Sequence, residues 1–447
     1  MIKDLTEGKS SSVLWRFSIP MFVSVIFQQL YNIADSAIAG KFAGESALAA
    51  VGASYPITMI FMAVAVGSNI GCSVVISQLF GAKKYKEMKT AVSTTLLSCG
   101  ALSAVLTVLG LLGTNGLLLL LNTPEDVFGD GALYLRIYIG GFLFLFLYNI
   151  CTGVFTSLGD SRTPLYFLIG SSLSNIFLDY WFVTSFHMGV AGVAWATFLA
   201  QGAACILAFF TLLYRLKKIQ TKEKPPVFSC AMLKRVSRIA IPSILQQSFI
   251  SIGNIFIQWR VNGFGSSVIA GYSAAIKLNT FTITSFTTLA NGLSSFTAQN
   301  VGAGKTDRVK EGLRAGILLA FLIAVPFALA FFFFGKTMIL LFLPGDADVG
   351  AALSTGTAFL KTVSPFYFVV SVKLMADGIL RGAGAMKYFM TATFTDLVLR
   401  VVLAFLFSEA PAFGSTGIWM SWPVGWTTAT VVSCLFYKTG KWRRGRV

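Results

Sequence analysis

Long apolar segments alternate with short polar segments along almost the whole chain. Twelve of the apolar segments reach about 20 residues, the length that an α-helix needs to cross the hydrocarbon core of a bilayer. They lie at roughly residues 14–39, 46–78, 89–112, 132–157, 163–185, 190–214, 236–260, 267–297, 312–334, 351–379, 385–408 and 415–437. The pattern predicts an all-α polytopic membrane protein with twelve transmembrane helices, which we number spans 1 to 12.

The composition of the 447-residue chain agrees with this prediction and excludes a soluble globular protein. Hydrophobic residues make up 55% and charged residues only 12%, with a mean hydropathy of +0.75. A net charge of +17 would suggest a nucleic-acid partner in a soluble protein, so the positions of the 35 Lys and Arg residues decide its meaning.

Most of the cations lie on one side of the predicted membrane. Twenty-seven precede span 1 or follow an even-numbered span, whereas the loops on the other side hold only Lys41, Arg260 and Lys336. Positively charged loops stay in the cytoplasm. The chain is therefore predicted to be an integral, multi-pass plasma-membrane protein with both termini cytoplasmic, and no nucleic-acid partner is expected.

The sequence offers no support for an enzyme or for a cofactor. Its six cysteines include no CxxC pair, and its one histidine, His187, is not part of an HExxH motif. GxSxG and Walker A motifs are also missing. We therefore expect no catalytic residues, no cofactor and no direct use of ATP.

The chain contains one pattern twice, as transporters often do. At an offset of 222, Arg16, Pro20 and Asn32 match Arg238, Pro242 and Asn254; at 225, Gly189 and Gly192 match Gly414 and Gly417. The repeat predicts an N-terminal lobe at 1–214, a basic cytoplasmic linker at 215–234 and a C-terminal lobe with a basic tail at 235–447. Because six spans is an even number, the two lobes have the same orientation, and a cleft between them would suit alternating access.

Two acidic residues lie deep in the first lobe. Asp35 in span 1 and Asp179 in span 5 come at similar depths, and Tyr31 and Asn175 precede them by four residues on the same helical faces. Thr197 in span 6 can reach the same level. A charged side chain at membrane depth costs about 2.5–3.5 kcal/mol on insertion scales, so these residues form a candidate cation or proton site. The alternative is that the acids only neutralise buried cations.

The second lobe does not repeat this acidic pair. Ile257 stands opposite Asp35, Arg400 opposite Asn175, Ala404 opposite Asp179 and Trp422 opposite Thr197. The second lobe instead has its own candidate polar cluster, made of Lys277, Lys373, Asp377, Asp396 and Arg400. Lys373 with Asp377, and Asp396 with Arg400, are i,i+4 pairs that can neutralise each other, which leaves a purely structural role open. Lys277 has no local partner and can face the cleft.

Several motifs resemble those of MATE (multidrug and toxic compound extrusion) transporters, and most closely their DinF-like branch. They are the segment 28–35 followed by Gly40, Gly44, Ala49, Ala50 and Gly52; Gly81-Ala82; 159–164; Asn175 with Asp179; and 380–382. The resemblance implies two six-helix lobes arranged as a V around a central cleft, and cation-driven export of amphipathic, often cationic compounds. No acid lies in span 7, which departs from the second-lobe site of the NorM-like branch.

The resemblance also implies roles for particular residues. Asp35, Asn175, Asp179 and Thr197 match the cation or proton site of the DinF-like branch, with Tyr31 at its edge. Pro20 matches a proline at which span 1 is proposed to bend, although a proline tolerated near a helix start would account for it equally well.

These observations together predict a multidrug antiporter, and three alternative functions remain open. H⁺ is favoured over Na⁺ as the coupling ion because the second-lobe acids are missing, yet the oxygens of Asp35, Asn175, Asp179 and Thr197 could also bind Na⁺; no other metal is expected. The partners are small amphipathic or cationic substrates and membrane lipids, and the protein is expected to be a monomer. The alternatives are a lipid-linked saccharide flippase with a cation-lined cleft, an intramembrane enzyme and a channel.

Overall fold

The chain is helical throughout the part that its computed structural model describes. This part comprises residues 3–38, 42, 45–121, 123–221, 223–342 and 349–444, so Gly40, Lys41 and Gly44 lie outside it. Its α-helices are α1 Ser10–Ile38, α2 Glu45–Gly81, α3 Tyr85–Leu120, α4 Glu125–Gly140, α5 Phe142–Ser157, α6 Arg162–Thr184, α7 Gly189–Lys218, α8 Cys230–Asn262, α9 Ser266–Gly302, α10 Thr306–Leu340, α11 Val349–Val363, α12 Tyr367–Gly382, α13 Met386–Glu409 and α14 Thr416–Lys438. The prediction of an all-α protein is confirmed.

Two of the predicted spans consist of two helices each. Span 4 is α4 followed by α5, with a bend of 45° at the Gly140-Gly141 pair, where two residues without side chains weaken the helix. Span 10 is α11 followed by α12, separated by a 3₁₀ turn at Ser364–Phe366 that contains Pro365. Since each other span is one helix, the described helices account for all twelve predicted spans.

Some of these helices are not apolar enough to be identified as membrane spans from their length and composition alone. Within the described ranges, eight helical segments meet this condition, and nine do if α4 with α5 counts as one span. Helices α6, α9 and α14 do not, because they are richer in Ser, Thr, Asn or Trp. The assignment of the helices to twelve successive spans is therefore a stronger guide to the number of spans than the hydropathy of each helix.

The chain packs into two compact units whose limits differ from those of the sequence repeat. Unit 1 holds the residues up to Asp4 and Pro20–Ser248, and unit 2 holds Leu5–Ile19 and the chain from Phe249 onward. The first half of α1 thus packs within unit 2 and the first half of α8 within unit 1, a division that the repeat boundaries at 214 and 235 do not describe. The predicted V-shaped cleft stays a prediction.

Two glycines explain why the first half of α8 belongs to unit 1. A Cβ atom added to Gly71 of α2 would lie 2.4 Å from the Cβ of Ala240, and one added to Gly67 would lie 2.5 Å from the Cα of Ile244. Only glycine allows helices to approach this closely. Helix α8 therefore lies with its backbone directly against α2.

The N-terminal segment is held in unit 2 by polar contacts. The Leu5 N–H donates to Gln299 Oε1 at 2.8 Å, and the Trp15 indole N–H donates to the carbonyl of Ala315 at 3.1 Å. Leu14 is buried and lies next to Gly316. These contacts fix the segment before α1 against α9 and the first half of α1 against α10.

Matching helical hairpins occur in the two units. Helices α6 and α7 pack together in unit 1, as α13 and α14 do in unit 2. A Cβ on Gly192 would lie 3.2 Å from Phe182, and one on Gly417 would lie 2.4 Å from Phe407. Both pairs of residues are related by the offset of 225, so the sequence repeat is also a repeat of contacts.

Candidate functional site

The five residues predicted to bind the coupling ion come together in unit 1. Tyr31 and Asp35 lie on α1, Asn175 and Asp179 on α6, and Thr197 on α7. Asn175 is 3% exposed and Asp179 is fully buried. The i,i+4 spacing on α1 and α6 places each acid one turn beyond its polar neighbour.

Asn175 connects the members of the site. Its amide nitrogen donates to Asp179 Oδ2 at 3.0 Å and to the Tyr31 hydroxyl at 3.0 Å, and its oxygen accepts from the Thr197 N–H at 3.1 Å. This orientation of the amide is the favourable one, because the opposite orientation would turn the amide oxygen toward the carboxyl oxygen of Asp179. The Tyr31 hydroxyl also forms a hydrogen bond with Thr197.

The carboxyl groups of Asp35 and Asp179 interact with each other at close range. A proton on one of them would allow a hydrogen bond between the two. With both groups ionised, their repulsion in a poorly solvated site would favour binding of a proton or a small cation. Each carboxyl group also has a buried Oδ1 without a hydrogen-bond partner, so it has capacity for a further ligand.

The acids of this site have no basic counter-charge among the described residues. The ion pairs of this part of the chain involve other acids, such as Asp160, which binds Arg215. Nor do the described residues hold a cluster of three or more His, Cys, Asp or Glu side chains suited to a metal ion. The alternative role left open by the sequence, the neutralisation of a buried base, therefore has no support among the described residues.

Tyr134 of α4 is a further neighbour of the two acids that no sequence motif indicated. Tyr134 interacts electrostatically with both Asp35 and Asp179, and its ring stacks on that of Tyr138 at 6.2 Å. No spacing in the sequence connects α4 with α1 or α6. The repeat held the one available signal. The counterpart of Tyr134, 225 residues further along, is Phe359, so the hydroxyl group is present only in the lobe that has the two acids.

Pro20 lies well inside α1, which begins ten residues earlier at Ser10. A proline at this position removes one N–H from the helix, so the carbonyl one turn before it loses its usual partner. Pro20 is also the residue at which α1 passes from unit 2 to unit 1. A helix-start position, the alternative left open by the sequence, is therefore wrong.

The candidate cluster of the second lobe is centred on Lys373. Its Nζ lies 3.1 Å from Asp377 Oδ2 and 3.8 Å from Asp396 Oδ2, and the Ser433 hydroxyl donates to Asp377 Oδ1 at 2.6 Å. The predicted pair of Asp396 with Arg400 is replaced by the pair of Asp396 with Lys373. An i,i+4 spacing permits a pair but does not exclude a closer partner from the neighbouring helix.

Arg400 and Lys277 differ from that prediction as well. The guanidinium of Arg400 lies over the ring of Trp422 at 4.5 Å, in cation–π geometry. Lys277 is exposed on α9 and lies 5.8 Å from the ring centre of Phe342, away from the Lys373 cluster. The cluster thus comprises Lys373, Asp377, Asp396 and, through its charge, Arg400.

The second unit repeats the contacts of the first site with different chemistry. Arg400 and Trp422 are in contact, as are their counterparts Asn175 and Thr197. Ile257 and Ala404, which stand where the first lobe has its acids, are buried in an aromatic core. An internal cation therefore occupies the counterpart of the acidic site.

Comparisons with known proteins agree on one family. A model of the MatE family matches residues 20–181 and 242–406. The probable multidrug resistance protein YpnP of Bacillus subtilis (strain 168) is 29% identical over 98% of this chain and 97% of its own length, and DNA damage-inducible protein F of Escherichia coli (strain K12) is 25% identical over 74% and 72%. A solved MOP-superfamily transporter from Pyrococcus furiosus has the same fold, with a TM-score of 0.91 at 23% identity over 98% of this chain and 97% of that one.

Proposed function

Because the chain belongs to the MATE family of multidrug and toxic compound extrusion transporters, we propose that it exports amphipathic, often cationic compounds in exchange for a cation, H⁺ in preference to Na⁺. The observation that carries this proposal is the close pair of carboxyl groups formed by the half-buried Asp35 and the buried Asp179, which has no basic partner among the described residues. A site of this kind binds and releases one positive charge with little other rearrangement.

The coupling follows from the position of the two acids on different helices. When the pair binds a proton, the repulsion between the carboxylates disappears and α1 can lie closer to α6. When the proton leaves, the negative charge favours a cationic substrate instead. Proton and substrate therefore exclude each other, and by linkage each weakens the binding of the other by the same factor.

The hydrogen bonds of Asn175 support H⁺ over Na⁺. The amide presents its nitrogen to Asp179 and Tyr31, while its oxygen already accepts from the Thr197 N–H. A Na⁺ ion needs several oxygen ligands, so the amide would have to turn before it could contribute one. A proton needs only the two carboxyl groups.

The same proposal includes the setting of the protein. We place it in the plasma membrane as a monomer with both termini in the cytoplasm, without a cofactor. The support is the excess of Lys and Arg in the loops on one side of the twelve spans.

Transport in proteoliposomes tests the proposed function. Efflux of a fluorescent cationic dye is followed under a pH gradient or, separately, a Na⁺ gradient, for the wild type, Asp35→Asn, Asp179→Asn and the control Asp126→Asn, which changes an exposed acid in the first turn of α4. We expect the pH gradient to drive efflux, both site variants to abolish it and the control to retain it. The mechanism would be refuted if neither gradient changed the efflux, or if both site variants still exported the dye.

A further inference from the structure

The buried charged residues of unit 2 leave one positive charge in surplus. Among the described residues of this unit they are three cations and two acids: Lys373, Arg381, Arg400, Asp377 and Asp396. Lys373 binds both acids, and Arg381 donates hydrogen bonds to Asn291 and Ser294. A buried charge without a counter-charge is costly, above all at membrane depth. The surplus therefore calls for a negative partner.

Arg400 of α13 is the member of this group without an acidic partner. No described carboxylate lies within ion-pair distance of its guanidinium, and its Nε has no hydrogen-bond acceptor in the described part of the chain. Asp396, one turn before it, lies with Lys373 instead. Arg400 contacts the ring of Trp422 at 4.5 Å and interacts electrostatically with Tyr272, but neither carries a negative charge that could balance it.

Two tryptophans of the neighbouring helix α14 are further donors without acceptors. The indole N–H groups of Trp419 and Trp422 are buried, and neither has a hydrogen-bond partner among the described residues. Buried polar groups normally find a partner, and an indole N–H or a guanidinium can only donate. The unpartnered groups of this region therefore suit an anion and disfavour a cation.

Contacts between the helices bring these donors to one region of the core. A Cβ on Gly425 of α14 would lie 3.4 Å from the Cβ of Arg400, so the two residues are at the same level. The rings of Trp419 and Trp422 both pack on the ring of Phe359, at 6.3 and 5.6 Å. The positions from 419 to 425 span about 9 Å along the helix. The guanidinium and the two indoles thus border the same part of unit 2.

The repeat indicates the position of the acceptor that Arg400 lacks. In unit 1, Asn175 donates from its amide nitrogen to Asp179 Oδ2, on the carboxyl group one turn further along α6. The counterparts in unit 2 are Arg400 and Ala404, so the donor is kept and the acceptor is replaced by a methyl group. Ala404 is fully buried. Alanine is smaller than aspartate by one carboxyl group, a volume that suits a single halide ion.

We propose that unit 2 binds one halide ion, chloride under cellular conditions, beside Arg400 and Ala404. The ion accepts hydrogen bonds from the guanidinium and the buried indoles, and its charge neutralises the surplus cation. A halide suits the site better than a larger carboxylate or phosphate, because Arg400 is only 7% exposed and Trp422 only 5%. Binding of this ion requires neither a substrate nor the pair of Asp35 and Asp179, so the inference is independent of the proposed export.

Halide binding is measured on the full-length protein in detergent, in potassium gluconate with increasing potassium iodide or chloride at constant ionic strength. Iodide quenches the fluorescence of an indole that it contacts. The wild type should therefore show a saturable component of quenching beside the linear quenching of its exposed tryptophans, and chloride should compete with that component. Chloride should also raise the apparent Tm by about 1–3 °C over gluconate, at one scan rate.

Substitution of Arg400 tests the assignment of the site. Arg400→Gln removes the cation and should weaken halide binding by about 10-fold or more, whereas Arg400→Lys should retain part of it. If Arg400→Gln does not fold, the reduced affinity of Arg400→Lys is the measurement. The matched control is Arg260→Gln, which removes another arginine of unit 2 that lies near aromatic rings, with the same change in net charge. The control should bind halide as the wild type does.

Ala404→Asp tests the position of the ion. It supplies the carboxyl group that unit 1 has at this place, so saturable quenching and the effect of chloride on the Tm should both disappear. The proposal would be overturned by wild-type quenching that is only linear, by unchanged halide binding in the Arg400 variants or in Ala404→Asp, or by an equal loss in Arg260→Gln. Stabilisation by acetate equal to that by chloride would also overturn it, because the site would then not select a halide.

Discussion

The contact of α2 with α8 permits a quantitative prediction for Gly71→Ala. The new Cβ would lie 2.4 Å from the Cβ of Ala240 and 2.6 Å from its backbone N and Cα. Carbon atoms normally pack at about 3.5–4.0 Å, so the first half of α8 would have to move by about 1 Å or more. Overpacking of this kind costs about 1–3 kcal/mol, against which alanine recovers about 0.5–1 kcal/mol of helix propensity.

The measurement compares thermal unfolding of the detergent-solubilised variants at one scan rate. Gly113→Ala in α3 is the matched control, because an added Cβ there meets nothing within 4 Å. We expect Gly113→Ala to equal or slightly exceed the wild-type Tm, and Gly71→Ala to unfold a few degrees lower. If Gly71→Ala unfolds at or above the temperature of the control, the backbone contact between α2 and α8 is not as close as described.

Three further predictions concern buried polar groups. Lys373→Met leaves Asp377 without its ion-pair partner, so it should destabilise the protein by about 3–5 kcal/mol, and a Tm equal to that of the wild type would contradict this. Tyr134→Phe should alter the pH dependence of dye efflux while leaving the Tm within about 1 °C, since it removes only a hydroxyl near the acids; an unchanged pH profile would exclude Tyr134 from the site. Burial alone would raise the pKa of Asp160, but hydrogen bonds, including two from Thr163, outweigh it and lower the pKa below its usual range. A carboxyl group with a lowered folded pKa stabilises the protein above its unfolded pKa of about 3.9 and loses this effect as the pH falls through the folded pKa. The Tm difference between wild type and Asp160→Asn should therefore shrink from pH 6 toward pH 3, and a constant difference would refute the assignment.

The spans and the first-lobe site were predictable because both depend on local spacing. Apolar runs of membrane length identify helices, and residues four apart lie on one face of a helix. Tyr31 with Asp35, and Asn175 with Asp179, are two such pairs, and the structure joins them through Asn175. The place of Thr197 in span 6 gave its depth, and the repeat gave the identity of the positions opposite each acid.

Contacts between distant helices were not predictable in the same way. Nothing in the spacing of α13 indicates that Asp396 binds Lys373 of α12 instead of Arg400 one turn away. Tyr134 was missed for the same reason, because its link to the acids exists only once α4 packs in unit 1. The first half of α1 belongs to unit 2 and the first half of α8 to unit 1. This assignment depends on close contacts between helices, such as that at Gly71, which leave no periodic pattern in the sequence.

The repeat shows how one scaffold came to have two different chemistries. The hairpins α6–α7 and α13–α14 retain the same glycine contacts, and the residues at positions 175 and 197 touch as those at 400 and 422 do. In the second unit an arginine over a tryptophan fills the place of the polar network, with an aromatic core around it. A fixed cation at this position repels a mobile one, and Ile257 and Ala404 stand where the first unit has its two acids. One coupling site per molecule is therefore the expected stoichiometry.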